Sequence, residues 1–177
     1  IIIISFILFS INATAESVEI EGLKVKFVSS KVIVSFSFKL DKNSIQTLKD
    51  GGKKEIIFYI DLFREWELLP DEFITGVKLV RTLYSDPMKK EYIASSFNGE
   101  TLLVKRFKSF DSMIKWALTF RNIYIANMKA FAEATYFVRV TAEAKSKGIP
   151  SIITEIFFFL PSREFKIYKD SFHFIWK

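Results

Sequence analysis

Between Lys31 and Leu40 apolar and polar residues alternate. Val32, Val34, Phe36, Phe38 and Leu40 fall on one face, and Lys31, Ser35, Ser37 and Lys39 on the other, with Ile33 as the one exception. A period of two over this length predicts a β-strand buried on one side. Val25 to Val28 is expected to pair with it through a turn at Ser29-Ser30. Asn43-Ser44 then offers the cap of a short helix that carries Ile45 and Leu48 and stops at Gly51-Gly52. Ile56 to Phe63 is apolar on both faces apart from Asp61, the pattern of a central strand covered on both sides. A polar connection, Glu65 to Glu72, leads to a further strand at Val77 to Tyr84.

Asp86-Pro87 suits the first two positions of a type I turn. Asn98-Gly99 predicts a two-residue hairpin loop of type I′, which would set Phe97 opposite Glu100, Ile93 opposite Val104 and Glu91 opposite Arg106. From Ser109 to Phe120 the period changes. Phe110, Met113, Ile114, Ala117 and Phe120 recur at three- and four-residue spacing behind a serine cap, so an amphipathic helix is expected. A poorly patterned connection follows. Tyr136, Val138, Val140 and Ala142 then alternate with Arg139, Thr141 and Glu143, giving another strand that ends at Lys145 to Gly148. Ile149 to Leu160 fits a short helix or a buried strand, the helix being favoured. In the tail, Phe165 and Ile167 share one parity and Phe172, Phe174 and Trp176 the other, so a bulge or tight turn is expected near Lys169-Asp170-Ser171.

The run IIIISFILFSINATA at residues 1–15 is uncharged and ends in Ala13-Thr14-Ala15 before Glu16. A short apolar run closed by small-x-small reads as a secretory signal, which leaves residues 16–177 as a single globular domain. The rival reading is a buried strand, and a retained run would act as a membrane anchor. Export to the periplasm of a Gram-negative-type bacterium is therefore expected. With Cys 0, thiol chemistry and Cys-ligated zinc are excluded, and an exported domain must rely on its core rather than on disulfides. Phe 20 against Gly 6 and Pro 4 argues for a packed, strand-rich domain. The fold class expected is α+β: a mostly antiparallel sheet or two-sheet sandwich of about seven strands, with the Ser109–Phe120 helix and one or two short helices.

The order of Leu69-Pro70-Asp71-Glu72-Phe73, Leu83-Tyr84 with Asp86, Lys90 and Tyr92, the Phe110 to Trp116 helix, and Tyr136-Phe137-Val138-Arg139-Val140 resembles a family of small exported bacterial proteins, domain of unknown function 4390. The resemblance covers most of the chain after residue 20. It implies a single-domain envelope protein. The family brings no established activity, so no functional residue is carried over.

Candidate chemistry is sparse. His173, the single histidine, lies in an alternating tail, and spacing shows no partner for nucleophilic or acid–base work. Asp61, Glu65, Glu67, Asp71 and Glu72 lack the spacing and central glycine of a calcium loop. Phosphate-loop, dinucleotide and G-x-S-x-G fingerprints do not occur, so no catalytic, metal or cofactor residue is singled out. The formal net charge of +6 fits a soluble surface or attraction to anionic lipid and cell-wall polymers. Lys89, Lys90, Lys105, Arg106 and Lys108 converge at one end of the expected hairpin as a possible basic interaction patch. A basic strand edge that discourages aggregation explains the same residues. The functional expectation is a non-catalytic envelope protein that binds a partner protein or an anionic envelope component. Nucleic acid is not expected, and membrane contact is peripheral at most. The alternative is a carrier of an apolar ligand or lipid in a phenylalanine-lined pocket. An outer-membrane barrel is disfavoured by the helix and by the strand apolar on both faces.

Overall fold

The computed structural model describes residues 17–145 and 163–177. Residues 1–15 and Ile149–Leu160, for which a signal and a short helix are expected, lie outside the described residues. The first hairpin joins β1 (Glu19–Val28) to β2 (Lys31–Lys39). Ser29 and Ser30 adopt φ of 47° and 70°, the left-handed pair that a tight hairpin loop of matching twist requires. Helix α1 (Lys42–Lys49) is capped by Asp41, not by Asn43 or Ser44. The Asp41 carboxylate accepts the Ser44 backbone N–H at 2.6 Å and thereby satisfies an otherwise orphaned donor of the first turn. The chain leaves α1 through Gly51 at φ 91°, as expected from the sequence.

Strands β3 (Lys53–Arg64), β4 (Glu72–Asp86), β5 (Glu91–Phe97) and β6 (Leu102–Phe107) form a meander. Helix α2 (Phe110–Leu118) follows, with Ser109 as its cap. The chain turns extended at Thr119, so Phe120 belongs to β7 (Thr119–Asn127), a strand that stands where the sequence showed only a connection. A single 3-10 turn at Met128–Ala130 leads into β8 (Ala134–Lys145), β9 (Arg163–Asp170) and β10 (Phe174–Trp176). The described residues thus give ten strands, more than the seven or so expected, in a three-stranded sheet β1-β2-β7 and a seven-stranded sheet. The larger sheet runs β10-β8-β3-β4-β5-β6, with β9 also paired to β8, and every pairing is antiparallel.

The tail behaves as its parity shift implied. Arg139 pairs with Asp170 and Tyr136 with Phe174, so β9 and β10 are two lengths of one edge offset by a single residue. Ser171 fills the offset, its N–H donating to Val138 O and its hydroxyl accepting from Val138 N–H. The β5–β6 hairpin departs from expectation. Phe97 pairs with Leu102 and Ile93 with Arg106, a loop of four residues. Asn98 Oδ1 accepts from both Glu100 N–H and Thr101 N–H, so its side chain builds the turn that a left-handed backbone was expected to build. The shift is two residues and preserves which side chains share a face. The Arg106–Glu91 ion pair survives as a diagonal contact at 3.4 Å.

The two sheets stack face to face. Val32, Val34, Phe36 and Phe38 of β2 meet Ile56, Phe58, Ile60 and Leu62 of β3, with Val138, Val140 and Ala142 of β8 beside them, all buried. Phe58 lies 4.6 Å from Phe120 and 5.3 Å from Phe38, in tilted and edge-on contacts. Strand β3 is central in the sheet, but its second face (Ile57, Tyr59, Asp61, Phe63) is half-buried, so its cover is complete on one side only. One flank of the sandwich is fastened. Phe38 stacks on Phe165 at 5.7 Å, Phe27 meets Phe174 at 4.8 Å, and Lys169 Nζ donates to Ile20 O, tying β1 to the β9–β10 edge. The opposite flank, between the edges of β6 and β7, is not paired among the described residues.

Candidate functional site

The unfastened flank is a cleft of about 690 Å³, walled by the inner side of β4, β5 and β6, by α2 and by β7. Its position follows from the topology: the seven-stranded sheet extends beyond the three-stranded one, and α2 covers only part of the overhang. Leu103, Phe107, Trp116, Phe120 and Ile123 make the apolar wall. Arg81, Lys105, Lys115 and Arg121 supply four cations, and no acidic side chain lines the cleft among the described residues.

Arg81 is the unusual member. It sits on the inner face of β4 between the buried Leu79 and Leu83, in a cross-strand row with Ser96 and Leu103, and is 9 % exposed. Its guanidinium carbon lies 5.1 Å from the Trp116 ring and 4.9 Å from Phe120. Its Nε has no hydrogen-bond partner among the described residues. Burial pushes its pKa below the ordinary arginine value. A buried cation is normally paired, because burying charge without a partner costs several kcal/mol. This one meets aromatic faces on one side and the cleft on the other.

A family model described as domain of unknown function (DUF4390) matches residues 15–173. The chain belongs to this family. No curated protein and no solved structure matches it. In this member of DUF4390, the stretches that carried the resemblance occupy the β3–β4 loop and the start of β4, the β4–β5 turn, α2 and the middle of β8. Trp116 of α2 is also a wall of the cleft.

The basic residues expected to form one patch are divided by the sheet. Lys105 enters the cleft, its Nζ 5.5 Å from the Phe107 ring centroid and 6.0 Å from Trp116. Arg106 points to the opposite face, beside Glu91. Lys89 lies 3.6 Å from Asp86 within the β4–β5 turn, Lys90 holds a left-handed turn position, and Lys108 is exposed between β6 and α2. Sequence reasoning did not single out Arg81, Lys115 or Arg121. The available signal was Arg81 itself, a charge at the apolar parity of Leu79 and Leu83.

The remaining chemistry gathers elsewhere. Ser44 accepts from Lys54 Nζ, which also donates to Glu164. Ser44 is 1 % exposed, so this hydroxyl–amine pair is closed to any substrate and serves to fasten α1 to β3 and β9. His173 Nδ1 lies 3.0 Å from Glu65 Oε2, and its ring stacks on Phe137 at 4.8 Å, half exposed at the outer face. The acidic residues do not converge. Asp61 lies on the outer face of β3, Glu65 meets His173, and Glu72 accepts from Trp66 Nε1. Among the described residues no metal-holding group of acids and histidine forms. No helix there is long and apolar enough to cross a membrane.

On the outer face Arg139 forms a two-pronged bond with Asp170, at 2.7 and 2.8 Å, which raises the arginine pKa. Asp61 pairs with it across β3 and β8 but is held by neither bond. A Cβ on Gly76 would clash with Asp61 Oδ1, so the glycine leaves the space that carboxylate occupies. Burial raises the Asp61 pKa, and the field of Arg139 only partly counters it. A raised folded-state value means that the contribution to stability is complete below the unfolded carboxylate pKa, about 4, and is lost as pH rises through the folded value. Asp61→Asn is therefore expected to be more stable than the parent at pH 7. The advantage should vanish in urea melts below about pH 4. An equal difference at both pH values would assign the effect to packing.

Proposed function

We propose that this is an exported, non-catalytic envelope protein that binds an anionic envelope component in the cleft between β6, α2 and β7. The observation that carries the reading is Arg81, buried, lining an apolar cleft and with an Nε that has no hydrogen-bond partner among the described residues. An incoming carboxylate or phosphate would supply the missing partner, in a site where a charged hydrogen bond is stronger than in water. Lys105, Lys115 and Arg121, all exposed at the rim, would draw such a group in. Export rests on the apolar run 1–15 and its small-residue end.

A carrier role receives less support. Of the phenylalanine-rich inner faces expected to line its pocket, Phe36, Phe38 and Phe58 are buried against one another, and Phe107 and Phe120 reach the cleft. Calorimetric titration with sodium dodecanoate, set against the neutral detergent dodecyl maltoside, tests the site. Saturable binding of the anion, weakened at least tenfold in Arg81→Met, is the expected result. Equal binding of the neutral detergent, or no loss in Arg81→Met, would overturn the reading. Export is tested by fractionating native cells: periplasmic recovery is expected, and recovery from cytosol with residues 1–15 retained would refute it.

A further inference from the structure

The occupant of this cleft can be narrowed, on the proposed reading that it is an anion site. Strand β6 ends the seven-stranded sheet, and β5 is its one sheet neighbour among the described residues. Its second row of backbone N–H and C=O groups meets no strand among the described residues. Natural edges of this kind are usually blunted by proline, bulges or charge on both faces. Here Lys105 and Arg106 place one charge on each face, but Leu102, Leu103 and Val104 before them are consecutive and more than half exposed, at 63, 54 and 56 %. The register of β6 against β5 is regular throughout.

Hollows flank this edge on both faces. Leu103, Lys105 and Phe107 face the cationic cleft on the inner side. On the outer side Val104, with Ile93 and Tyr84, borders a second hollow of about 390 Å³ that has no acidic lining residue among the described residues. An alkyl chain would fill one hollow and leave the edge hydrogen bonds unmade. An extended polypeptide sends alternate side chains to the two faces and satisfies the edge with its own backbone.

We propose that β6 accepts an extended acidic segment of a partner protein as an added strand. Its acidic side chains enter the inner cleft towards Lys105 and Arg121 at the rim, and the apolar side chains between them lie over the outer hollow. Four cations facing the inner positions, with no acid among them, set this charge preference.

The test uses capped nine-residue peptides of alternating glutamate and valine, measured by calorimetry and by hydrogen exchange of the β6 amides. Binding is expected, with slower exchange across residues 102–107. It should weaken at least tenfold in a Lys105→Met, Arg121→Met double variant, and at least tenfold when the alternate set of backbone nitrogens that faces β6 is methylated, whereas methylating the other set should leave it unchanged. Replacing glutamate with lysine should abolish it. Unchanged binding by both methylated peptides, or unchanged exchange in β6, would overturn strand addition. Sodium dodecanoate separates the two readings. If it binds through Arg81 while the peptide does not, the added strand falls and the anion site stands. If neither binds, both fall.

Discussion

Arg81→Met is expected to raise the free energy of unfolding by about 1 kcal/mol while removing the anion-binding capacity of the cleft. Arg81 is 9 % exposed, its Nε lacks a hydrogen bond among the described residues, and burial disfavours its charged form. Methionine keeps much of the volume and brings a polarisable thioether to Trp116 and Phe120, the rings that now hold the cation. The loss of the two ring contacts offsets part of the gain, since each cation–π contact contributes about 0.5–2 kcal/mol. The check is a higher urea midpoint at an unchanged slope. Lys115 and Arg121 are exposed, so methionine at either should change stability by about 0.5 kcal/mol or less. Destabilisation by Arg81→Met would mean that the ring contacts outweigh the burial penalty, and the arginine would then be structural. The expected combination, greater stability with lost binding, is the signature of a residue kept for recognition.

Phe58→Ala should cost about 3–5 kcal/mol, the largest loss expected from a single substitution in this chain. Phe58 is 0 % exposed and touches Phe36 and Phe38 of one sheet as well as Phe120 at the mouth of β7. Removing the ring leaves a cavity between two sheets whose backbones are held apart by the other phenylalanines, so collapse to fill it is limited. With typical total stabilities of about 5–15 kcal/mol, such a variant would lie close to the folding threshold. Chemical denaturation gives the measurement. Phe73→Ala, at a position 58 % exposed, is the contrast and should change stability by about 0.5 kcal/mol or less. Similar losses at both positions would contradict the packing described for the sheet interface.

What could be read along the chain was what is encoded within a few residues. The alternation of β2, the Ser109 cap of α2 and the parity change before β10 all hold, because each depends on side chains adjacent in sequence. Strand β7 was missed for a local reason. Asn122 takes a left-handed φ of 54°, and two register shifts against β2 break the period of two that would have revealed the strand. The Asn98-Gly99 loop misled because asparagine has two ways to make a turn, and its side chain took over from its backbone. The cleft was not legible at all. It draws on β4, β5, β6, α2 and β7, and proximity among these is set by sheet order rather than by spacing. Arg81 was visible as a charge at an apolar parity, but its lack of a partner was not.

The charges around β6 also bear on self-recognition. Two copies joining their β6 edges about a twofold axis would run antiparallel and bring together two strands that each carry Lys105 and Arg106 and lead into Lys108. Like charge would meet like at every such encounter, although the exposed leucines favour contact. On the proposed reading the edge would discriminate by sign, repelling its own kind and receiving a polyanionic chain. Because mobile ions mute that repulsion, salt is the variable that would loosen this discrimination.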